Sequence, residues 1–482
     1  MNTSSLKKIT SVWIITILTL FVVAIIFGIT MRLNQGTNIK IMPDTFYSLM
    51  TIHGMTMIGI WSCAGLMAVN YLLSRYVKVS VKLNVFAYIF TVIGVVMLLG
   101  ATLIGKFHAG WTILYPLPFR IAWAKWATPM FLWGLTVLAS TWLIWSIGMI
   151  AQILKEYRLT EALALQHLFK SIKSERETPP FILIAVISLI GIIICLITAA
   201  ILAILLFAEY YSKGSFVNDP LLIKNLIYFF GHTIANEALY LGIATLYELL
   251  PEVSGRPKFK TTWYVSLAWN MVFFFILTAF FHHLYMDFVQ PVGFQVIGQM
   301  ASYLATIPSA VVTILSVVFL ILGNRVKWNI INILFFLGVV GWVIGGVGAL
   351  IDATISNNII LHNTLWVPAH FHTYNAMGNV LFSLAFFFWV ANEFVGAKDY
   401  AKFNKLLLTL LIVGGFGFVL MFYFGGAYSV PRRYSMYPTE LLKAPLLATL
   451  GAMFATIYLL AIFWIMADLL KKCVKAFSHS HS

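Results

Sequence analysis

An all-α integral membrane fold of twelve transmembrane helices is what this sequence predicts, and three observations carry the prediction. Hydrophobic residues make up 61% of the 482-residue chain. Charged residues make up only 10%, against roughly a quarter in soluble globular domains. Apolar runs of about 20 residues recur from end to end, each long enough to cross a hydrocarbon layer of roughly 30 Å as a helix. The runs are continuous rather than alternating, so helices and not a closed barrel satisfy the backbone in lipid. This composition excludes a soluble enzyme, a disordered chain and a secreted disulfide scaffold. Cys63, Cys195 and Cys473 are scattered and form no CxxC pair, so no disulfide framework is indicated.

The spans follow in order at 10–30, 46–73, 82–105, 127–153, 180–208, 222–250, 262–286, 296–322, 327–353, 361–395, 403–428 and 441–470. Lys7 and Lys8 precede the first as they would in a signal peptide, but no clear small-residue cleavage site follows, and it is read as a retained helix. No long polar insert interrupts the series, so residues 1–482 read as a single membrane domain. No internal repeat of the transporter kind is visible. With a cytoplasmic N-terminus, 21 of the 31 basic residues fall on inner segments. They are Lys7 and Lys8, the loops Arg75–Lys82, Lys155–Arg176 and Arg256–Lys260, Arg325 and Lys327, Lys398–Lys405, and Lys471–Lys475. That bias places both termini in the cytoplasm. It also accounts for most of the net charge of +15 without a nucleic-acid partner. The outer segments LNQGTNIKIMPD and KFHAGWTILYPLPFRIAW are expected to cap the outer end of the bundle.

The histidines carry the chemistry. His167, His479 and His481 lie in polar segments, whereas His53, His232, His282, His283, His362, His370 and His372 lie within or at the ends of apolar spans. Ionisable groups there are costly and usually functional. One such histidine is as readily a helix–helix hydrogen bonder as a ligand; seven are too many for that reading. Imidazole is the usual nitrogen ligand of haem iron and copper. His370 and His372 are about 200° apart around a helix, so one helix can serve two metal centres. His53 can oppose one of them. His282 and His283 are adjacent, so a single metal takes both only near a helix end or distortion, and His232 can complete a three-histidine copper site.

The strings TIHGMTM (His53), FGH (His232), FFHHLY (His282, His283), LHNTLWVPAHFHTYN (His362, His370, His372) and VPRRY (Arg432, Arg433) occur in one order across the chain. In these the sequence resembles the catalytic subunit, subunit I, of the haem–copper oxidase superfamily, and HNTLWVPAHFH most resembles its B-type branch. The resemblance implies two haems, of b or a-like type, and copper B. His53 and His372 would ligate a low-spin haem, His370 a high-spin haem, and His232, His282 and His283 copper B. His362 and Asn363 match positions near the haem propionates, where the family often has Asp in place of Asn363. Arg432 and Arg433 match the pair that binds propionates, and guanidinium forks suit carboxylates.

The sequence departs from the family at one position. Oxygen-reducing members carry a tyrosine, in many of them four residues after the first copper histidine; here that position is Asn236. The stretch before the His-His pair, where another branch has it, holds no tyrosine. Tyr240 is two turns beyond His232, about 12 Å along the helix. Breaking O–O takes four electrons, one of them from that tyrosine, whereas coupling two NO to N2O takes two. Family members that reduce NO lack the tyrosine. The resemblance therefore implies an alternative nitric oxide reductase, with a B-type oxidase reducing O2 to water as the competing reading. Asn236 and Glu237 are the candidate catalytic residues beside copper B, Glu237 as a proton donor or as a polar helix contact. Tyr247, Ser309 and Thr313 resemble part of the hydroxyl path of B-type oxidases, although Ser and Thr also bond to their own helix.

No CuA motif and no CxxCH haem attachment occur. Electrons are expected from a small membrane-anchored cupredoxin or cytochrome subunit, with cytochrome c, cupredoxin or quinol as donor. A prokaryotic cytoplasmic membrane is the expected location. A twelve-helix transporter is the alternative class and would bind no haem.

Overall fold

The computed structural model describes residues 3–119, 122–174, 176–322, 326–397 and 404–478. Arg120, Arg325, Lys398, Lys402, His479 and His481 lie outside the described residues. Within these residues the chain forms twelve long helices. They are α1 (Thr3–Gln35), α2 (Pro43–Leu73), α3 (Val81–Ile104), α4 (Ala127–Ile153), α5 (Pro180–Ser212) and α6 (Pro220–Val253), followed by α7 (Trp263–Leu284), α8 (Gly293–Ile321), α9 (Ile330–Ala353), α10 (Trp366–Val395), α11 (Lys405–Ala427) and α12 (Ala444–Ser478). Their starts follow local chemistry. Proline opens α2, α5 and α6, where its missing N–H costs nothing. Ser80, Asp219, Thr262, Asn329 and Asn404 accept first-turn amides of α3, α6, α7, α9 and α11.

Eleven of these helices are long and apolar enough to cross a membrane, and α6 is the exception. His232, Asn236 and Glu237 stand in its middle, and they reduce its apolarity below that of its neighbours. The expected count of twelve spans is therefore met by eleven on apolarity alone.

α10 is the central post. In its most apolar stretch 89% of residues are buried, against 61% or less in the other spans. Gly341 of α9 lies so close to the backbone of Met377 that any side chain would strike it. α10 contains a π turn over Asn375–Asn379, directly after His370 and His372, a distortion common at functional sites. The helix also starts later than the expected 361. Leu365 N donates to Val430 O (2.9 Å) and Arg432 N to Asn363 O (2.9 Å). This sideways pairing breaks the helix until Trp366 and fixes Arg432 beside Asn363.

At the end of the bundle bearing the α2–α3 turn, Arg75 bridges Glu248 and Glu252 (2.8 Å each), and Tyr76 donates to Glu248 (2.7 Å). Trp389 of α10 donates to Glu252 (3.0 Å). This network ties α2, α6 and α10 together at the end opposite the Arg432 loop. That leaves the histidine-bearing half as the place where cavities form.

Candidate metal centre

α7 does not finish as an α-helix: Phe280–Leu284 tightens to a 3-10 turn. At this end of α7 the adjacent His282 and His283 meet His232 from α6. One ligand atom from each of the three lies within 4.8 Å of the others. The His282 and His283 rings are 4.1 Å apart, and His232 stands 5.0 and 5.4 Å from them. His282 Nδ1 donates to Ser302 Oγ (3.0 Å), which itself donates to Gly298 O (2.6 Å). That bond fixes the tautomer, as outer-shell partners of metal ligands do. His232 Nδ1 is buried with no hydrogen-bond partner. Three nitrogen donors, one of them unsatisfied, fit a copper ion. Tyr228, one turn before His232, stacks on His283 at 5.2 Å.

His53 and His372 face each other across a second gap. Their rings are 6.2 Å apart and inclined by 20°. Two imidazoles joined to one metal ion by bonds of about 2 Å each stand about 6 Å apart, ring centre to ring centre. His53 Nδ1 donates to Ala24 O and His372 Nδ1 to Pro368 O, both at 2.7 Å. Both Nε2 atoms are thus unprotonated and available. This arrangement fits an axial haem iron pair.

His370 points the other way from α10, as the two-residue spacing requires. It is 6% exposed, and neither ring nitrogen makes a hydrogen bond. Its nearest charged group is Asp352, with Oδ2 3.6 Å from Nε2. A buried imidazole left unsatisfied fits the role of a haem ligand. All six histidines line one cavity of about 730 Å³, at the large end for ligand sites. Its lining extends to Ala139 and Trp133 of α4 and to Ala199, Ala203 and Ile204 of α5, and Trp133 and Ile204 are exposed.

At the rim the Arg432 Nη2 donor reaches Asn363 Oδ1 at 3.4 Å, and its Nε is buried and unpaired. Burial, and then the neighbouring Arg433, push the Arg432 guanidinium down to about 10. Burial, and then the Arg432 charge, push His362 down to about 4. Two spare guanidinium faces on one cavity wall, Arg432 and Arg433, fit carboxylate groups of a bound cofactor.

Three further site residues escape sequence reading. Arg32 is buried, with Nε and Nη2 unpaired. It stands over Phe422 (4.6 Å), which stacks on His372 (4.9 Å). Ser302 and Asp352 are the other two. Each is a polar residue in a largely apolar span. The signal was there under the rule that polar residues in membrane helices are functional, but nothing in sequence tied them to a histidine.

The two candidate catalytic residues separate. Asn236 lines the cavity, and its Nδ2 donates to His232 O (2.8 Å) within its own helix. Glu237 is fully buried and turned to α5, its carboxyl in the notch left by Gly191. It does not line the cavity, because one residue is about 100° of helix. Tyr240 packs edge-on against Trp269 (5.5 Å), also away from the cavity.

The family described as "Cytochrome C and Quinol oxidase polypeptide I" matches residues 8–460. Cytochrome c oxidase subunit 1 of Synechocystis is 24% identical over 426 residues, which cover 86% of this chain and 74% of the relative. Cytochrome c oxidase polypeptide 1 of Halobacterium salinarum is 25% identical over 440 residues, covering 87% and 70%. The fold is similar to a haem–copper terminal oxidase dimer solved by cryo-EM, with a TM-score of 0.79 and 21% identity over 96% of this chain and 84% of that one.

Proposed function

Given that the chain belongs to the cytochrome c and quinol oxidase polypeptide I family, whose haem–copper members carry two haems and copper B, we propose that it is a single-domain terminal reductase converting nitric oxide to nitrous oxide. The overall step is two NO, two electrons and two protons to N2O and water. His53 and His372 would hold the low-spin haem, His370 the high-spin haem, and His232, His282 and His283 copper B. His362, Asn363, Arg432 and Arg433 would hold the propionates. The bound metals supply the redox chemistry. The protein would hold the imidazoles oriented and offer an uncharged gas a cavity lined by apolar residues of α4 and α5.

Asn236 is the observation that carries NO over O2. Its amide is committed to its own helix, and no phenol stands at that position to add an electron and a proton. A B-type-like oxygen reductase is the second reading, favoured by Tyr228, whose ring lies on His283. α6 would cross as the twelfth span, with His232 and Asn236 of its polar middle on the cavity and both termini in the cytoplasm of a prokaryote. Electrons would come from a membrane-anchored cupredoxin or cytochrome subunit. Glu237 would then act through the α5–α6 contact rather than on the metals.

The test is turnover by the purified, reduced protein, with anaerobic NO consumption and N2O release measured beside O2 uptake at matched donor concentration. Fast N2O release with feeble O2 uptake is expected. Rapid O2 reduction to water would overturn the NO assignment and make Tyr228 the residue to replace.

A further inference from the structure

Asp352 stands near the end of α9 and is 2% exposed. A carboxylate that deep in an apolar bundle is costly and usually functional. Gly348, one turn earlier on the same face, shows how it comes to the histidines. A Cβ there would stand 2.9 Å from His370 Cβ, so α9 runs hard against His370 and its next turn brings Asp352 beside the ring. Oδ2 lies 3.6 Å from His370 Nε2. Oδ1 faces the Asn358 amide at 3.4 Å, and that amide also donates to Asp352 O (2.8 Å) and reaches His282 O (3.4 Å). The carboxylate and its amide partner thus lie between His370 and the backbone of His282.

The surroundings of this carboxylate are unusual for the chain. Among the described residues it is the one acid within 4 Å of a histidine ring nitrogen, and no lysine or arginine lies that close to it. Its two polar neighbours, a ring nitrogen and an amide NH2, are both able to donate, which suits the ionised, acceptor-only form. Both members of the pair are buried, with side-chain exposures of 8% and 3%, so the charge acts with little screening. A metal held by His370 Nε2 through a bond of about 2 Å stands within about 6 Å of Oδ2. The His53–His372 pair has the opposite setting. The charged side chain there is a cation, Arg32, set over Phe422 against His372.

We propose that Asp352 sets the potential of the His370 site. Its buried negative charge stabilises the oxidised iron, which carries one positive charge more than the reduced iron, and so lowers the midpoint potential there. The proposal rests on the assignment of His370 to the high-spin haem and holds whichever gas is reduced. It moves no atom and adds no electron: burial and local interactions are levers by which a protein tunes a haem, and a fixed charge acts through Coulomb energy that falls with distance. Because His372 points to the other side of α10, the effect falls mainly on one haem. An electron that reaches the His370 site then passes to the gas with more driving force than an uncharged residue 352 would leave it.

The test is a spectroelectrochemical titration of the purified holoenzyme. The two haems are followed separately, the high-spin one identified by the band that shifts when CO is added to a reduced sample. Asp352→Asn keeps the shape and removes the charge. It should raise the high-spin midpoint potential by about 59 mV or more, a tenfold change in the reduced-to-oxidised ratio, and leave the low-spin potential in place. Asp352→Ser, a second neutral variant, should show the same rise if Asp352→Asn loads haem poorly. Asp352→Glu keeps the charge and should keep the potential low. An unchanged high-spin potential in a neutral variant at full haem content, an equal rise in Asp352→Glu, or a rise shared equally by both haems would overturn the proposal. A wild-type protein with no CO-binding haem overturns the assignment of His370 instead.

Discussion

Gly28 offers the sharpest test of how α1 positions the low-spin site. Ala24 and Gly28 are one turn apart on the same face, and both meet His53. Ala24 O accepts the ring Nδ1 proton at 2.7 Å. A Cβ at residue 28 would stand 3.0 Å from His53 Cε1, 3.4 Å from Nδ1 and 3.6 Å from Nε2. Ordinary carbon contact needs about 3.5 Å, so in Gly28→Ala the ring must retreat by about 0.5 Å. That stretches the Nδ1 bond to about 3.2 Å, the weak edge of an N–H···O bond, and moves Nε2 off the line to His372. Disturbing such a partner costs 10- to 100-fold in metal affinity. Helix propensity acts in the opposite sense, favouring alanine by about 1 kcal/mol, so a loss cannot come from the backbone. The assay is haem-to-protein ratio with the reduced-minus-oxidised low-spin band. Gly59→Ala is the control, since its Cβ would meet Trp142 at an ordinary 3.7 Å. A full low-spin band at wild-type stoichiometry in Gly28→Ala would refute the reasoning.

Three further outcomes are expected. Ser302→Ala leaves His282 Nδ1 without its acceptor and should weaken copper retention 10- to 100-fold; elemental analysis after chelator dialysis reads this, and an unchanged copper-to-haem ratio would remove Ser302 from the site. Asn236→Tyr places a phenol one turn from His232 and should raise the ratio of O2 to NO turnover; a constant ratio would mean that position 236 does not decide the substrate. Burial, and then the Arg432 charge, push His362 in the folded chain down to about 4 from its ordinary 6.5. The unfolded state therefore binds the proton first, and stability from this group is full above pH 6.5 and lost as pH falls towards 4. The temperature of thermal inactivation of wild type should fall, as pH drops across that window, more steeply than that of His362→Gln, and parallel curves would contradict the assignment.

Much of this protein was legible in one dimension. Composition alone demanded helices, because lipid offers the backbone no other partner. The seven membrane histidines stood out because each is costly there, and the two-residue spacing of His370 and His372 required two opposed sites on one helix. Other features depend on contacts between segments far apart in the chain. The separation of His53 and His372 comes from α1 and α10 supplying carbonyls on either side. The meeting of His282 and His283 with His232 needs the end of α7 to pack beside the middle of α6, a contact between segments about 50 residues apart. Helical rotation alone separates Asn236 from Glu237 by about 100°, but only packing shows that the first lines the cavity and the second lies against Gly191. Arg32 and Ser302 are ordinary residues in apolar runs until the bundle closes. Only then does burial leave the Arg32 donors unpaired and set Ser302 under a ligand. Pattern reports what a residue costs in lipid; only packing reports which neighbour offsets that cost.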